Sequence, residues 1–201
     1  YYNRRRRNVQ EPNALLSVVI DGSDQASYGL PYFWSKTKGS DKGFKNKQKL
    51  VACLVHGRCA EVFTIPKYFG SGSNVTIECL HRTLESVKRG ANGFLPPSLS
   101  IQMDNCSGEN KNRFVFAYLH QLVAEGKVHF LPVGHTHEDI DQFFSKGALW
   151  LQTHDALDKE QLGEAYQRGY QTMPVHVTHI DNVANIRELY KAKTEIGRAH
   201  V

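Results

Sequence analysis

Apolar residues along the chain fall into two kinds of run, short unbroken ones and longer ones spaced by three or four. "ALLSVVI", residues 14–20, is nearly continuous, rich in β-branched residues and of strand length, and it ends in the polar "DGSDQ". Such a run predicts a strand covered on both faces. "KLVACLVHG" and "AEVFTIPK" predict two more strands, joined by a tight turn around Gly57. Spacing then changes. Ile77, Leu80, Leu84 and Val87 recur at three or four, which predicts a helix stopped by Gly90. Leu99 to Met103 reads as a strand ending at Asp104. "SGENKNRFVFAYLHQLVAEG" reads as a helix with Ser107 as its cap, Phe114, Tyr118 and Leu122 as its stripe, and Gly126 as its end. "KVHFLPVG" is a short strand. A third helix starts near His137 with Ile140, Phe143, Phe144, Gly147 and Ala148 facing the core, and "KEQLGEAYQRGY" is a fourth, followed by a less regular tail.

The order is β-β-β-α-β-α-β-α. Three consecutive strands suggest an antiparallel meander, and the later alternation of strand and helix suggests parallel additions. The expected fold is therefore α/β and ribonuclease-H-like, with a mixed five-stranded sheet flanked by helices. The expected divisions are a basic tail over 1–13, a catalytic core over 14–155 and a C-terminal helical extension over 156–195. Residues 196–201, "GRAHV" with the preceding isoleucine, read as a non-native scar, and a first residue of Tyr1 fits a fragment of a longer parent.

Composition narrows the function classes. With 201 residues, 40% hydrophobic and 22% charged, the chain can bury one domain-sized core. A net charge of +5 and a pI near 9.0 suit a polyanionic partner. The run Arg4 to Arg7 fits a nuclear-import or phosphate-contacting segment or a solvated tail, and the expected location is nuclear. Lys36, Lys38, Lys42, Lys45, Lys47 and Lys49, interleaved with Phe33, Trp34 and Phe44, can follow a DNA backbone through charge and stacking. Cys53, Cys59, Cys79 and Cys106 contain no C-x-x-C pair and read as reduced intracellular thiols. No apolar run reaches membrane-spanning length, so no membrane partner is expected.

Three acids stand where such a fold brings its elements together: Asp21 after the first strand, Asp104 after the fourth and Asp141 in the helix after the fifth. Strand ends of open α/β sheets are where sites form. Phosphodiester cleavage by two metals needs carboxylates that hold Mg²⁺ or Mn²⁺ roughly 3.5–4 Å apart, and such ions take hard oxygen ligands. In "HEDID", helix phase puts His137, Glu138 and Ser145 on the face of Asp141 and sends Asp139 to nearly the opposite side, as a solvated acid. Asp21 continues its strand, whereas Asp24, the alternative first acid, lies past Gly22 in a turn. Asn105, Asn110, Lys111 and Asn112 precede a helix and can hold a phosphate or serve as caps. His135 and His137 can bind zinc as a pair, but no third soft ligand is near in sequence, so orienting a carboxylate or contacting a phosphate is the preferred role. Cys106 has no evident base beside it and reads as a small buried residue.

"VVIDGSDQA", "LPYF", "LVHG", "IQMDNCSGENKN" and "FLPVGHTHEDIDQFFS" together resemble a family of eukaryotic transposon-derived proteins with a DDE/DDD transposase, or integrase-like, core. The resemblance runs from about residue 14 to residue 155, and its specific parts are the "DN…NKN" block and "GHTH…D". It implies a ribonuclease-H-like fold, metal-dependent DNA strand cleavage and strand transfer, and Asp21, Asp104 and Asp141 as the catalytic and metal-binding acids. It also implies DNA as partner, assembly as a homo-oligomer on that DNA, and further DNA-binding and zinc-containing regions outside this core. Two other outcomes fit the same fold: a domesticated relative that binds DNA without cutting it, and a ribonuclease or structure-specific nuclease.

Overall fold

The first apolar run, "LLSVVI", does form a strand buried on both faces, and the rest of the molecule is organised around it. The computed structural model describes residues 10–11, 13–23, 28–35, 43–104, 106, 108–124, 127–130 and 138–190, with the backbone alone for 123–124, 127–130 and 138. Strand β1, Leu15–Gly22, pairs antiparallel with β3, Asn46–Val55, which pairs antiparallel with β4, Cys59–Pro66. A short strand β2, Gly29–Leu30, adds to the start of β3. On the other side of β1 lie β5, Ser98–Gln102, and β6, Lys127–Phe130, both parallel to it. At the far edge β7, Val175–His179, runs parallel to β4. The sheet order is β6-β5-β1-β3-β4-β7, with β2 alongside β3.

The mixed α/β sheet flanked by helices agrees with the expectation, but among the described residues it has seven strands, not five. One extra strand, β7, lies in the region expected to be a helical extension. Its sequence, "VHVTH", alternates apolar and polar residues, as an edge strand does when one side remains partly solvated. The alternation covers only five residues and carries two histidines, so it is a weak signal.

Alternation along β1 divides the core in two. Leu16, Val18 and Ile20 pack with Val51, Phe63 and Ile65 beneath helices α1, Ser73–Gly90, and α2, Arg113–Ala124. Val19 faces the other way and packs with Leu50, Leu54 and Val62 beneath α3, Glu138–Leu151, and α4, Lys159–Gly169. Helix α1 buries Ser73, Thr76, Ile77, Leu80, Thr83, Leu84 and Val87, the three-and-four spacing of one face. Helix α2 starts later than expected. Residues 108–112 form turns, and the Asn112 carboxamide oxygen accepts from the backbone N–H groups of Phe114 and Val115, so the cap is Asn112. Ser107 lies outside the described residues.

Helices α3 and α4 approach closely because glycines line their contact. A Cβ on Gly147 would sit 2.3 Å from the Tyr166 ring, and one on Gly169 would sit 2.7 Å from the Lys146 carbonyl oxygen. Ile140, Phe143, Gly147 and Leu151 are the buried positions of α3, whereas Ala148, expected in the stripe, is exposed. Gly57 takes φ 71° in the β3–β4 turn, a left-handed conformation that suits glycine. All four cysteines are free thiols. Burial pushes those of Cys53 and Cys59 up to about 12 and that of Cys79 well above its ordinary range. Among the described residues, no helix is long and apolar enough to cross a membrane.

Candidate functional site

Register between the two central parallel strands brings the first two predicted acids together. Leu15 pairs with Ser98 and Val19 with Gln102. Two residues farther along each chain come Asp21 and Asp104, on strands roughly 4.8 Å apart. Both line one cleft of about 440 Å³ at the carboxyl ends of β1 and β5, together with Lys49, Thr76, Glu109 and Asn110. This is the crevice in which open α/β sheets bind ligands.

Hydrogen bonds hold the acids in place. Asp21 Oδ1 accepts from the Gly22 backbone N–H at 2.8 Å. Asp104 Oδ1 accepts from the Cys106 backbone N–H at 3.1 Å and from the Asn110 side-chain amide. Asn110 is itself buried, and its carboxamide oxygen accepts from the Thr76 hydroxyl at 3.0 Å. The chain of contacts thus runs from α1 through Asn110 to the Asp104 carboxylate, fixing its orientation.

The cleft lining includes three carboxylates, Asp21, Asp104 and Glu109, and one ammonium, Lys49. Lys49 donates to Glu109 Oε2 at 3.1 Å and to Ser71 Oγ at 3.0 Å, so its charge is directed at Glu109. The three carboxylates share the cleft but do not lie within ligand-cluster distance of one another. Their hard oxygens suit Mg²⁺ or Mn²⁺ better than a soft metal. By donor chemistry, the carboxylate oxygens of the cleft are of the type that a divalent hard cation takes.

The remaining predicted residues are distributed differently. Asp141 is exposed on the first turn of α3 and does not line the cleft. The three acids Asp21, Asp104 and Asp141 do not converge as a ligand cluster; among the described residues the cluster of three that does is Cys59, Glu61 and His176. Asp139, expected to be solvated, is partly buried, and its Oδ2 lies 3.5 Å from Nε2 of the buried His56. The other ring nitrogen of His56 shares a hydrogen bond of 3.0 Å with Ser17 Oγ. Asp139 therefore pins the start of α3 to the sheet through His56, which the helix phase alone could not indicate.

Lys49 is also corrected. Expected among the lysines that follow a DNA backbone, it is instead a buried residue of β3 held by Glu109. Lys45 is partly exposed and Lys47 exposed, beside the exposed Phe33, Trp34 and Phe44. Lys36, Lys38 and Lys42 lie outside the described residues. Cys106 is exposed and not buried, because it sits in the turn after β5. Lys111 is exposed in the turn before α2. Asp24, Asn105, His135 and His137 lie outside the described residues, as does the side chain of Glu138. Sequence reasoning missed Glu109 and the buried role of Asn110. Their signal was their place in "DNCSGENKN", beside the acid that they support.

The family model described as "Domain of unknown function (DUF7869)" matches residues 38–200, so the chain belongs to that family. The matched span includes Lys49, Asp104, Glu109 and Asp141, while Asp21 lies upstream of it. No curated protein and no solved structure matches the chain.

Proposed function

We propose that this member of the DUF7869 family is a metal-dependent polynucleotidyl-transfer enzyme, a transposase-like core that cuts a DNA strand and joins its end to another. The observation that carries the reading is the pair Asp21 and Asp104 in one acidic cleft at the ends of adjacent parallel strands. The strand order supports it. An antiparallel β1–β3–β4 meander with parallel β5 and β6 on the other side of β1 is the layout of ribonuclease-H-like folds.

In this reading Asp21 and Asp104 hold the metal ions, and Asp141 is the third acid. Asp141 is carried by α3, which covers the face of the sheet opposite to the α1 side, where Ile20, Val51 and Thr76 wall the cleft. Asp21 and Asp104 would hold Mg²⁺ or Mn²⁺, which would supply Lewis-acid activation of the attacking oxygen and stabilisation of the leaving oxygen. Asn110 and the Cys106 N–H keep the Asp104 carboxylate aimed into the cleft. Lys49 holds Glu109 against the cleft wall. Water and then a DNA 3′-hydroxyl are the successive nucleophiles, each displacing one oxygen of a phosphodiester. A net charge of +5 favours the DNA partner, and a nuclear location and assembly as a homo-oligomer on DNA belong to the same proposal.

The test is cleavage of duplex DNA by the purified chain with and without Mg²⁺, beside Asp104→Ala. Metal-dependent cleavage that the substitution abolishes is the expected outcome. Undiminished cleavage by the variant overturns the reading. One observation favours a second reading: Asp141 stands outside the cleft lining, as in a relative that binds DNA without cutting it. DNA binding that survives in the absence of any cleavage supports that alternative. A preference for RNA–DNA hybrid over duplex DNA points to a ribonuclease on the same fold.

A further inference from the structure

At the opposite edge of the sheet, β4 and β7 bring together three residues that are far apart in sequence. Cys59 and Glu61 are two apart on β4 and project to the same side, and His176 is the register partner of Glu61 on β7. Their ligand atoms all lie within 4.8 Å of one another. Cys59 Sγ is 3.8 Å from Glu61 Oε1, and His176 Nδ1 is 2.9 Å from the same oxygen. Ser86 Oγ, from α1, donates to that oxygen at 2.7 Å.

The geometry points to a zinc site formed by Cys59, Glu61 and His176, with its fourth position open to solvent. Tetrahedral zinc with bonds of about 2.3 Å to sulfur and about 2.1 Å to nitrogen or oxygen sets its ligand atoms about 3.4–3.6 Å apart. The two separations in the structure, 3.8 and 2.9 Å, bracket that range. Small side-chain rotations bring the set to bonding distance.

Charge and donor type agree with that assignment. A thiolate, a carboxylate and a neutral imidazole exactly offset Zn²⁺, which matters because Cys59 and Glu61 are buried. Binding releases the thiol proton to solvent as the S–Zn bond forms. The mixture of sulfur, nitrogen and oxygen donors selects zinc over magnesium. An ion pair between Glu61 and a protonated His176 uses two of the three groups and leaves the thiol as a weak, long donor to Glu61 Oε1 at 3.8 Å. His176 is half exposed, and a groove of about 430 Å³ lined by Glu61, Ser86, His81, Glu85 and Thr178 meets the cluster, so water can reach the fourth position. Ser86 then orients the carboxylate from outside the metal shell. The site is independent of the acidic cleft and of the function proposed for it.

Cobalt(II) provides a direct test, because a thiolate ligand gives it a charge-transfer absorption in the near-ultraviolet. The full chain, reduced and treated with a chelator, is titrated with Co²⁺ and then with Zn²⁺. The expected result is a thiolate band and tetrahedral visible bands, both displaced by Zn²⁺. Cys59→Ser should lose the thiolate band, and Cys106→Ser, at an exposed thiol, should keep it. His176→Ala should weaken Zn²⁺ binding more than tenfold, and because His176 is half exposed this variant decides the matter where Cys59→Ser does not fold. Absence of the band in the unaltered chain overturns the assignment. So does a band that follows Cys106, or unchanged Zn²⁺ affinity in His176→Ala.

Discussion

The acidic cleft and the β4–β7 edge are built on one sheet but differ in chemistry. The cleft gathers Asp21, Asp104 and Glu109 beside a buried lysine, all hard donors, at the ends of two central strands. The edge gathers a thiol, a carboxylate and an imidazole across two neighbouring strands. Strand ends in a parallel sheet converge on open solvent and suit a large substrate. A register pair inside a sheet is narrow and suits a single ion. If both proposed sites bind metal, donor softness would separate their ions.

That separation can be broken by substitution, and the largest expected effect is a double dissociation. Asp104→Ala should lower Mg²⁺-dependent DNA cleavage on the order of 10²–10³-fold, the scale for losing one charge-stabilising group, and leave the Co²⁺ thiolate band intact. Cys59→Ser should do the reverse. Gly163→Ala probes the edge alone: its Cβ would lie 2.5 Å from Val177 of β7. It should cost about 1–3 kcal/mol in denaturant unfolding and weaken Zn²⁺ binding through displacement of β7, with cleavage unchanged.

Two acids two residues apart on α3 sharpen the comparison further. Asp139→Ala removes the partner of His56 and should cost about 1–2 kcal/mol of stability. Asp141→Ala, at an exposed position, should change stability by no more than about 0.5 kcal/mol, yet abolish cleavage if it supplies the third carboxylate. Circular dichroism on denaturation and a cleavage assay on both variants separate the two roles.

Much of this architecture was legible in the sequence because it rests on local patterns. "ALLSVVI" announced a strand buried on both faces, and the spacing of Ile77, Leu80, Leu84 and Val87 announced α1. Asp21 and Asp104 were readable because each ends an apolar strand, and strand ends are predictable places. Contacts across the sheet were not. Nothing near Cys59 in the chain points to His176, since β7 joins the sheet only after α3 and α4 have crossed the other face. Helix phase correctly set Asp139 and Asp141 on opposite flanks but could not say which flank meets protein, because His56 comes from the β3–β4 turn. Lys49 differs from the expected DNA-facing lysines for a similar reason: its partner Glu109 lies 60 residues on.

The central claim, that the cleft is a hard-cation site held by Asp104 and distinct from the edge cluster, is tested most directly by Mn²⁺ binding. Calorimetric titration of the unaltered chain, Asp104→Ala and Cys59→Ser with Mn²⁺ should show binding that is lost in the first variant and retained in the second. Equal Mn²⁺ binding by all three proteins, or loss only in Cys59→Ser, contradicts the account.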